Sequence, residues 1–255
     1  MKKIIKITIW SLVLSFLGFY LYLYAHYTTP ILMYHSFDKA RTKDYAAVSL
    51  EKFRHQAEFI KNGKYTAISL PDYCKLLRDK KPIPRNLVVI TIDDGYNDNL
   101  PAFEILKQFD FPSTVFLVTK DIGKPGFLSS KNIISSIADN KINIGSHTNT
   151  HPDLSKITKE KIKEELTGSK NRLEKILNTQ VEVFAYPGGA FNKQALAGVE
   201  ESGYVCACTT NRGFSRSLNR FALRRIKITD KDNDFTLWAK LSGYYNIFKK
   251  VKKPY

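Results

Sequence analysis

From residue 31 onwards, short apolar runs alternate with longer stretches whose apolar positions recur every three or four residues. The run at 87–92 is continuous and rich in β-branched side chains, the pattern of a strand buried on both faces, 31–34 is a shorter apolar strand, and 113–119 and 142–145 read as strands as well. Further strands are predicted at 65–68, 181–185, 204–208 and 221–228. Between them, 49–61, 99–109, 130–139, 158–177 and 193–202 carry the helical period. The clearest, 158–177, places Ile162, Leu166, Leu173 and Leu177 on one face and lysine and glutamate elsewhere. Ser49 with Glu51, and Ser69-Leu70-Pro71-Asp72, read as helix starts. About seven strands separated by helices predict an α/β fold with a parallel sheet, open or closed into a barrel.

Before this region the pattern is different. Lys2, Lys3 and Lys6 precede a run, 7–25, that is apolar apart from Thr8, Ser11, Ser15 and Gly18. About 19 residues at 1.5 Å each approach the ~30 Å hydrocarbon core of a bilayer. Lysines before the run and few after it place the start in the cytoplasm and the remainder outside. Tyr20, Tyr22, Tyr24 and Tyr27 then populate the outer interface. A cleaved signal peptide is the alternative, but no small-x-small site lies near Tyr24-Ala25-His26, and an uncleaved single-pass anchor is expected.

The net charge of +16 reads either as a solvated lysine surface or as affinity for polyanions. No helix-turn-helix, RNP or zinc-finger pattern converts it into nucleic-acid recognition. The basic run at 248–253 either rests on anionic lipid or frays as a charged terminus. Cys74, Cys206 and Cys208 are too few for a disulfide framework, and Cys206 and Cys208 are poorly placed to bond each other, so all three read as small core residues.

The polar residues with chemical potential fall at strand C-terminal ends. His35 follows the first strand, Asp93-Asp94 end the third, His147 follows the fifth and Tyr186-Pro187-Gly188-Gly189 the sixth. In a parallel α/β sheet or barrel those ends share the face where active sites are built. One carboxylate and two imidazoles suffice to hold a zinc-type ion, leaving the second carboxylate free as a base on the water the ion polarises. Adjacent strand residues point to opposite sides, which favours that division of labour for Asp93 and Asp94. His147 and His151 lack the glutamate of a zincin helix, and Pro152 disfavours a helix, so a loop must bend both imidazoles inward. Glycines at 188 and 189 let backbone N–H groups approach an oxyanion. His35 is the best available general acid, while His26 and His55 receive no role.

Residues 31–228 resemble the polysaccharide deacetylases, the NodB-homology group of carbohydrate esterase family 4. The matches are Thr91-Ile92-Asp93-Asp94-Gly95, His147-Thr148-Asn149-Thr150-His151 followed by Leu154, and Phe184-Ala185-Tyr186-Pro187-Gly188-Gly189. The resemblance implies a distorted (β/α) barrel of about seven parallel strands, here preceded by one N-terminal transmembrane helix. It implies Asp93 as base, Asp94, His147 and His151 as ligands of one divalent metal ion (zinc first, cobalt or nickel as alternatives), and Gly188, with Tyr186 and Pro187, at the oxyanion. Two departures stand out. The arginine usual two residues before the proline is Ala185, for which Arg224 or Arg225 could substitute, and no histidine follows His151 to supply the acid. The front segment Met33-Tyr34-His35 instead resembles the circularly permuted subgroup that includes deacetylases of poly-N-acetylglucosamine, which makes His35 the acid. The organisation expected is an anchor at 1–28, a deacetylase catalytic domain at 29–230 and a basic tail at 231–255. The function expected is N-deacetylation of an extracytoplasmic N-acetylglucosamine polysaccharide. The alternatives are O-deacetylation of an acetylated xylan and catalytically silent glycan binding.

Overall fold

Among the described residues the apolar runs fold as nine strands of one sheet in which every strand pairing is parallel: β1 (Ile31–Tyr34), β2 (Thr66–Ile68), β3 (Leu87–Ile92), β4 (Ser113–Leu117), β5 (Ile142–Ser146), β6 (Val183–Ala185), β7 (Cys206–Thr209), β8 (Leu223–Arg224) and β9 (Ile226–Lys227). The structure, a computed structural model, describes residues 2–41, 46–210 and 219–247. Its helices are α1 (Lys2–Ala25), α2 (Leu50–Asn62), α3 (Leu70–Arg78), α4 (Leu100–Gln108), α5 (Ser130–Asn140), α6 (Lys159–Leu177), α7 (Lys193–Glu201) and α8 (Asp234–Leu241). Ser49, Ser69, Ser129 and Thr158 cap α2, α3, α5 and α6 by accepting a backbone N–H in the first turn.

The strand order is β8-β7-β6-β5-β4-β3-β1-β9. Its two ends, β8 and β9, flank Arg225 in a single extended segment. Leu223-Arg224 pair with β7 and Ile226-Lys227 with β1, so this segment bridges both edges of the sheet and nearly closes it as a barrel. The strand count exceeds the expected seven partly because this last stave is split at Arg225. Strand β2 lies off the path. Val89 pairs with Ile31 on one side and Ile68 on the other, and from Ile90 onwards that second side belongs to β4. The chain leaving β2 is thereby released from the sheet as α3.

Alternation along the staves sorts the side chains. Val89, Phe116, Val183, Ala185, Cys206, Cys208 and Leu223 pack together inside the barrel with Leu70, Tyr73 and Cys74 of α3, which plugs the end where the strands begin. Val88, Ile90, Ile92, Val115, Phe184 and Ala207 point outward under the helices. The cysteine expectation needs correction here. Cys74 and Cys206 form a disulfide across 132 positions, with Cα atoms 6.2 Å apart, and Cys208 alone is a buried free thiol. Local spacing could not show this pair, because its members meet only when the plug helix enters the barrel.

Helix α1 is exposed along its apolar length and, by length and composition, could cross a membrane. Its exit is fastened to the barrel. The Arg85 guanidinium lies 3.7 Å from the Tyr24 ring centroid and donates to Tyr24 O (2.9 Å) and Tyr244 Oη (3.2 Å), while Thr28 N–H donates to Gly243 O (3.0 Å). Gly243 has φ +80°, and a Cβ there would strike the Tyr27 ring. Residues 230–247 are thus more regular than a tail: Asn233 caps α8, which buries Leu237 and Leu241. The basic run of the expected tail, 248–253, lies outside the described residues.

The bond between plug and stave closes a long loop, so Cys206→Ser is expected to lower stability by about 2–5 kcal/mol, read from the urea midpoint. Thiol labelling of the denatured, unreduced protein should tag Cys208 alone, and labelling of all three cysteines would contradict the pairing.

Candidate active site

Asp93 N–H donates to Tyr34 O at 2.9 Å, extending the β1–β3 ladder one residue beyond β3. Asp93 therefore keeps the inward direction of Val89 and Thr91 and is 2% exposed. Asp94 breaks the alternation: it takes φ +73°, a left-handed conformation that short polar side chains tolerate, and Gly95 follows at +74°. A side chain at 95 would collide with Leu117, so glycine is required there. The turn sends the two neighbouring carboxylates to different sites.

Inside the barrel Asp93 meets Arg225. Arg225 Nη1 and Nη2 donate to Asp93 Oδ1 and Oδ2, each at 2.6 Å, a bidentate fork with both partners buried. The same guanidinium donates to Thr91 Oγ1 (3.2 Å) and Thr209 O (3.4 Å), and Thr91 donates in turn to Leu32 O (2.7 Å). Burial alone pushes the Asp93 carboxyl up, but Arg225, with His147 and His35, overrides it and holds the pKa down to about 2. Of the two arginines considered from sequence, the structure selects Arg225. It lies between β8 and β9 on the inward side, whereas Arg224 falls on the opposite face. Ala185 also faces the interior, so the guanidinium expected from its strand arrives instead from the barrel's seam.

The histidine pair lies on a loop, as Pro152 requires. His147 N–H donates to Leu117 O (2.9 Å) as β5 ends, and its Nδ1 bonds Ala185 O (2.7 Å). Because a carbonyl only accepts, that bond fixes the proton on Nδ1 and leaves the Nε2 lone pair facing Asp94. Burial lowers the His147 pKa, which keeps the ring neutral and able to ligate. Left-handed residues at Thr148 (φ +69°) and His151 (φ +60°) turn the loop back, and Thr148 Oγ1 accepts the His151 N–H at 2.9 Å. His147 Nε2 and His151 Nε2 each stand 3.6 Å from Asp94 Oδ1, and one ligand atom from each residue lies within 4.8 Å of the others. A carboxylate oxygen and two imidazole nitrogens in mutual reach, one ring oriented through its far nitrogen, fit a divalent ion with positions left open.

His35 stands beside this group, with Nε2 3.8 Å from Asp93 Oδ2 and its carbonyl held by Asn99 Nδ2 at 2.8 Å. Burial lowers its pKa despite the opposing pull of Asp93 and Asp94. At the exit of β6, Tyr186 donates its hydroxyl to Phe221 O (3.0 Å) and stacks on Phe191. Tyr186 and Pro187 are buried and build the turn, and Gly188, at φ +60°, is the part of the motif that is exposed. Gly189 admits no Cβ, because Thr210 would lie 2.1 Å from it. His26 stacks on Tyr22 at the C-terminal end of α1 and His55 pairs with Asp234 on the outer surface, so neither reaches the site. Glu165 of α6, which grips the backbone at Asn149 and Thr150, lies outside the motifs that the sequence singles out. Its only signal is an acidic residue on the apolar face of an amphipathic helix.

The chain matches the family model for polysaccharide deacetylases over residues 80–207. It is 30% identical over 203 residues to the Bacillus subtilis protein YxkH, covering 78% of this chain and 71% of that protein. It is 27% identical over 205 residues to the poly-β-1,6-N-acetyl-D-glucosamine N-deacetylase of Staphylococcus epidermidis, covering 74% of this chain and 70% of the relative. The Streptococcus pyogenes deacetylase PplD, solved in complex with acetate, superposes with a TM-score of 0.78 at 26% identity over 85% of this chain and 99% of its own. IcaB from Ammonifex degensii shares the fold, with a TM-score of 0.76 at 20% identity over 85% of this chain and 97% of its own. With its motif residues gathered at one mouth of the barrel, this chain belongs to the polysaccharide deacetylase family and is a deacetylase hydrolase.

Proposed function

We propose that the protein removes N-acetyl groups from an extracytoplasmic polymer of N-acetylglucosamine, using one divalent metal ion, zinc in the first instance. The observation that carries this reading is the separation of Asp93 from Asp94, one fixed by Arg225 and the other facing two histidines. Asp94, His147 and His151 would hold the ion. When bound, such an ion polarises the acetyl carbonyl and lowers the pKa of water from 15.7 towards ~7, which makes a carboxylate as weakly basic as Asp93 adequate. Asp93 accepts the proton of the attacking water while Arg225 keeps both carboxylate oxygens oriented. The exposed Gly188 N–H donates to the oxyanion as the carbonyl becomes tetrahedral. His35 takes up the proton that Asp93 accepted, across the 3.8 Å between Nε2 and Oδ2, and as the imidazolium gives it from Nε2 to the departing amine. Water thereby adds its hydroxyl to the acetyl carbon and its hydrogen to the sugar nitrogen.

Likeness to a poly-β-1,6-N-acetylglucosamine N-deacetylase supports the amide substrate. The Cys74–Cys206 disulfide fits an oxidising compartment, and α1 fits an uncleaved anchor at 1–28 that holds the catalytic domain, 29–230, outside the cytoplasmic membrane.

Acetate release measured side by side from β-1,6-linked N-acetylglucosamine oligomers, chitooligosaccharides and acetylxylan tests the substrate class. Turnover is expected on the first and not on acetylxylan, and preference for the ester would overturn the amide assignment. His35→Ala should lower kcat on the preferred oligomer by about 10²–10⁴. Undiminished turnover would remove His35 from the mechanism. The buried pair makes a thermodynamic prediction as well. Arg225→Met should cost about 3–5 kcal/mol by leaving Asp93 buried without its counter-charge, and adding Asp93→Leu should recover most of that loss. Additive losses in the double variant, read by urea unfolding, would refute the coupling. Arg225→Lys should fail to restore activity, since an ammonium cannot present the fork. Asp93 is held below its unfolded value, so its share of stability is present above pH ~4 and fades as the pH falls towards 2.

A further inference from the structure

Glu165 lies on the inner face of α6, three positions after Ile162 and next to Leu166, and is 2% exposed. Its carboxylate faces the back of the loop that carries the two histidines. Oε2 accepts the N–H groups of Asn149 and Thr150, both at 2.8 Å, and Oε1 accepts the Thr150 hydroxyl at 2.6 Å. The opposite side of the loop is held by the exit of β4, where Thr119 N–H donates to Thr148 O (3.2 Å) and Lys120 N–H to Asn149 O (3.0 Å). The loop is therefore gripped between a strand end and one buried carboxylate.

That grip opposes a real tendency to relax. Thr148 and His151 are both left-handed without being glycine, a conformation that persists only where the surroundings enforce it. Two consecutive N–H groups pointing away from the strand need an acceptor, and a carboxylate that receives both is the strongest one available. Three charge-assisted bonds on the residues midway between His147 and His151 fix the distance and tilt of the two rings.

We propose that Glu165 is a positioning residue for the metal site. It holds Asn149-Thr150 so that His147 and His151 present Nε2 to Asp94, and it sets metal affinity without touching ion or substrate. This rests on the reading that Asp94, His147 and His151 hold a divalent ion. Partners behind the ligands of a metal site are typically worth about 10–100-fold in affinity.

Zinc affinity of the full chain, measured by competition with a chromophoric chelator, tests the proposal. Glu165→Ala should bind zinc about 10–100-fold more weakly. Glu165→Gln should stay within about threefold of the parent, because its carbonyl can accept both N–H groups while its amide donates to a reversed Thr150 hydroxyl. Ser169→Ala is the control for a purely structural effect: it removes a buried bond to Ser146 (2.7 Å) from the same helix face and should lower Tm while leaving zinc affinity unchanged. If Glu165→Ala does not fold, Thr150→Val removes only the hydroxyl contact and should still weaken zinc binding several-fold. Parental affinity in Glu165→Ala, or in Thr150→Val where the former is unfolded, overturns the proposal while the parent remains a zinc-loaded, active deacetylase. A parent that binds no zinc removes the metal reading itself, and this proposal with it.

Discussion

The ion pair between Asp93 and Arg225 is the interaction on which the architecture and the chemistry both depend. A carboxylate and a guanidinium deep inside a barrel are costly to desolvate, and only a bidentate fork backed by further hydrogen bonds makes the arrangement tolerable. The structure supplies that fork and engages two of the three remaining guanidinium donors through Thr91 and Thr209. Arg225 can be there because the stave from Leu223 to Lys227 pairs with β7 through its first half and with β1 through its second. The residue at the changeover sits at the seam and points inward. Closure of the barrel and orientation of Asp93 are thus one event.

A second constraint is the distribution of left-handed residues. Asp94, Thr148 and His151 all take positive φ, each at a point where a strand or its loop must redirect a polar side chain across the barrel's mouth. These conformations are unfavourable in isolation and are held by contacts from neighbouring elements. The Thr148 hydroxyl accepts the His151 N–H, Glu165 holds the residues between, and the β4 exit holds the other side. The site is strained locally and supported from outside, as expected where pre-organisation of ligands matters.

Much of this is legible in the amino-acid sequence. Short strand-like segments alternating with helical periods reveal the staves, and the C-terminal placement of His35, Asp93-Asp94, His147 and the Pro-Gly-Gly turn reveals their common face. What was not legible depended on contacts distant in sequence. The Cys74–Cys206 bond required knowing that α3 enters the barrel's lower end. The choice of Arg225 over Arg224 required the register of the closing stave, since a shift of one residue exchanges inside for outside. Tyr186 and Pro187 belong to the motif by sequence, yet packing buries them and leaves Gly188 as the exposed member. The length from 230 to 247 read as irregular because α8 is short and its amphipathic signal spans only two turns.

The central claim is that two adjacent carboxylates have separate duties, Asp93 as the arginine-held base and Asp94 as a metal ligand. It is tested most directly by measuring zinc content and acetate release together in Asp93→Asn. The account predicts a full complement of zinc with turnover lost. Zinc lost along with activity, or acetate release retained at the parental rate, would contradict it.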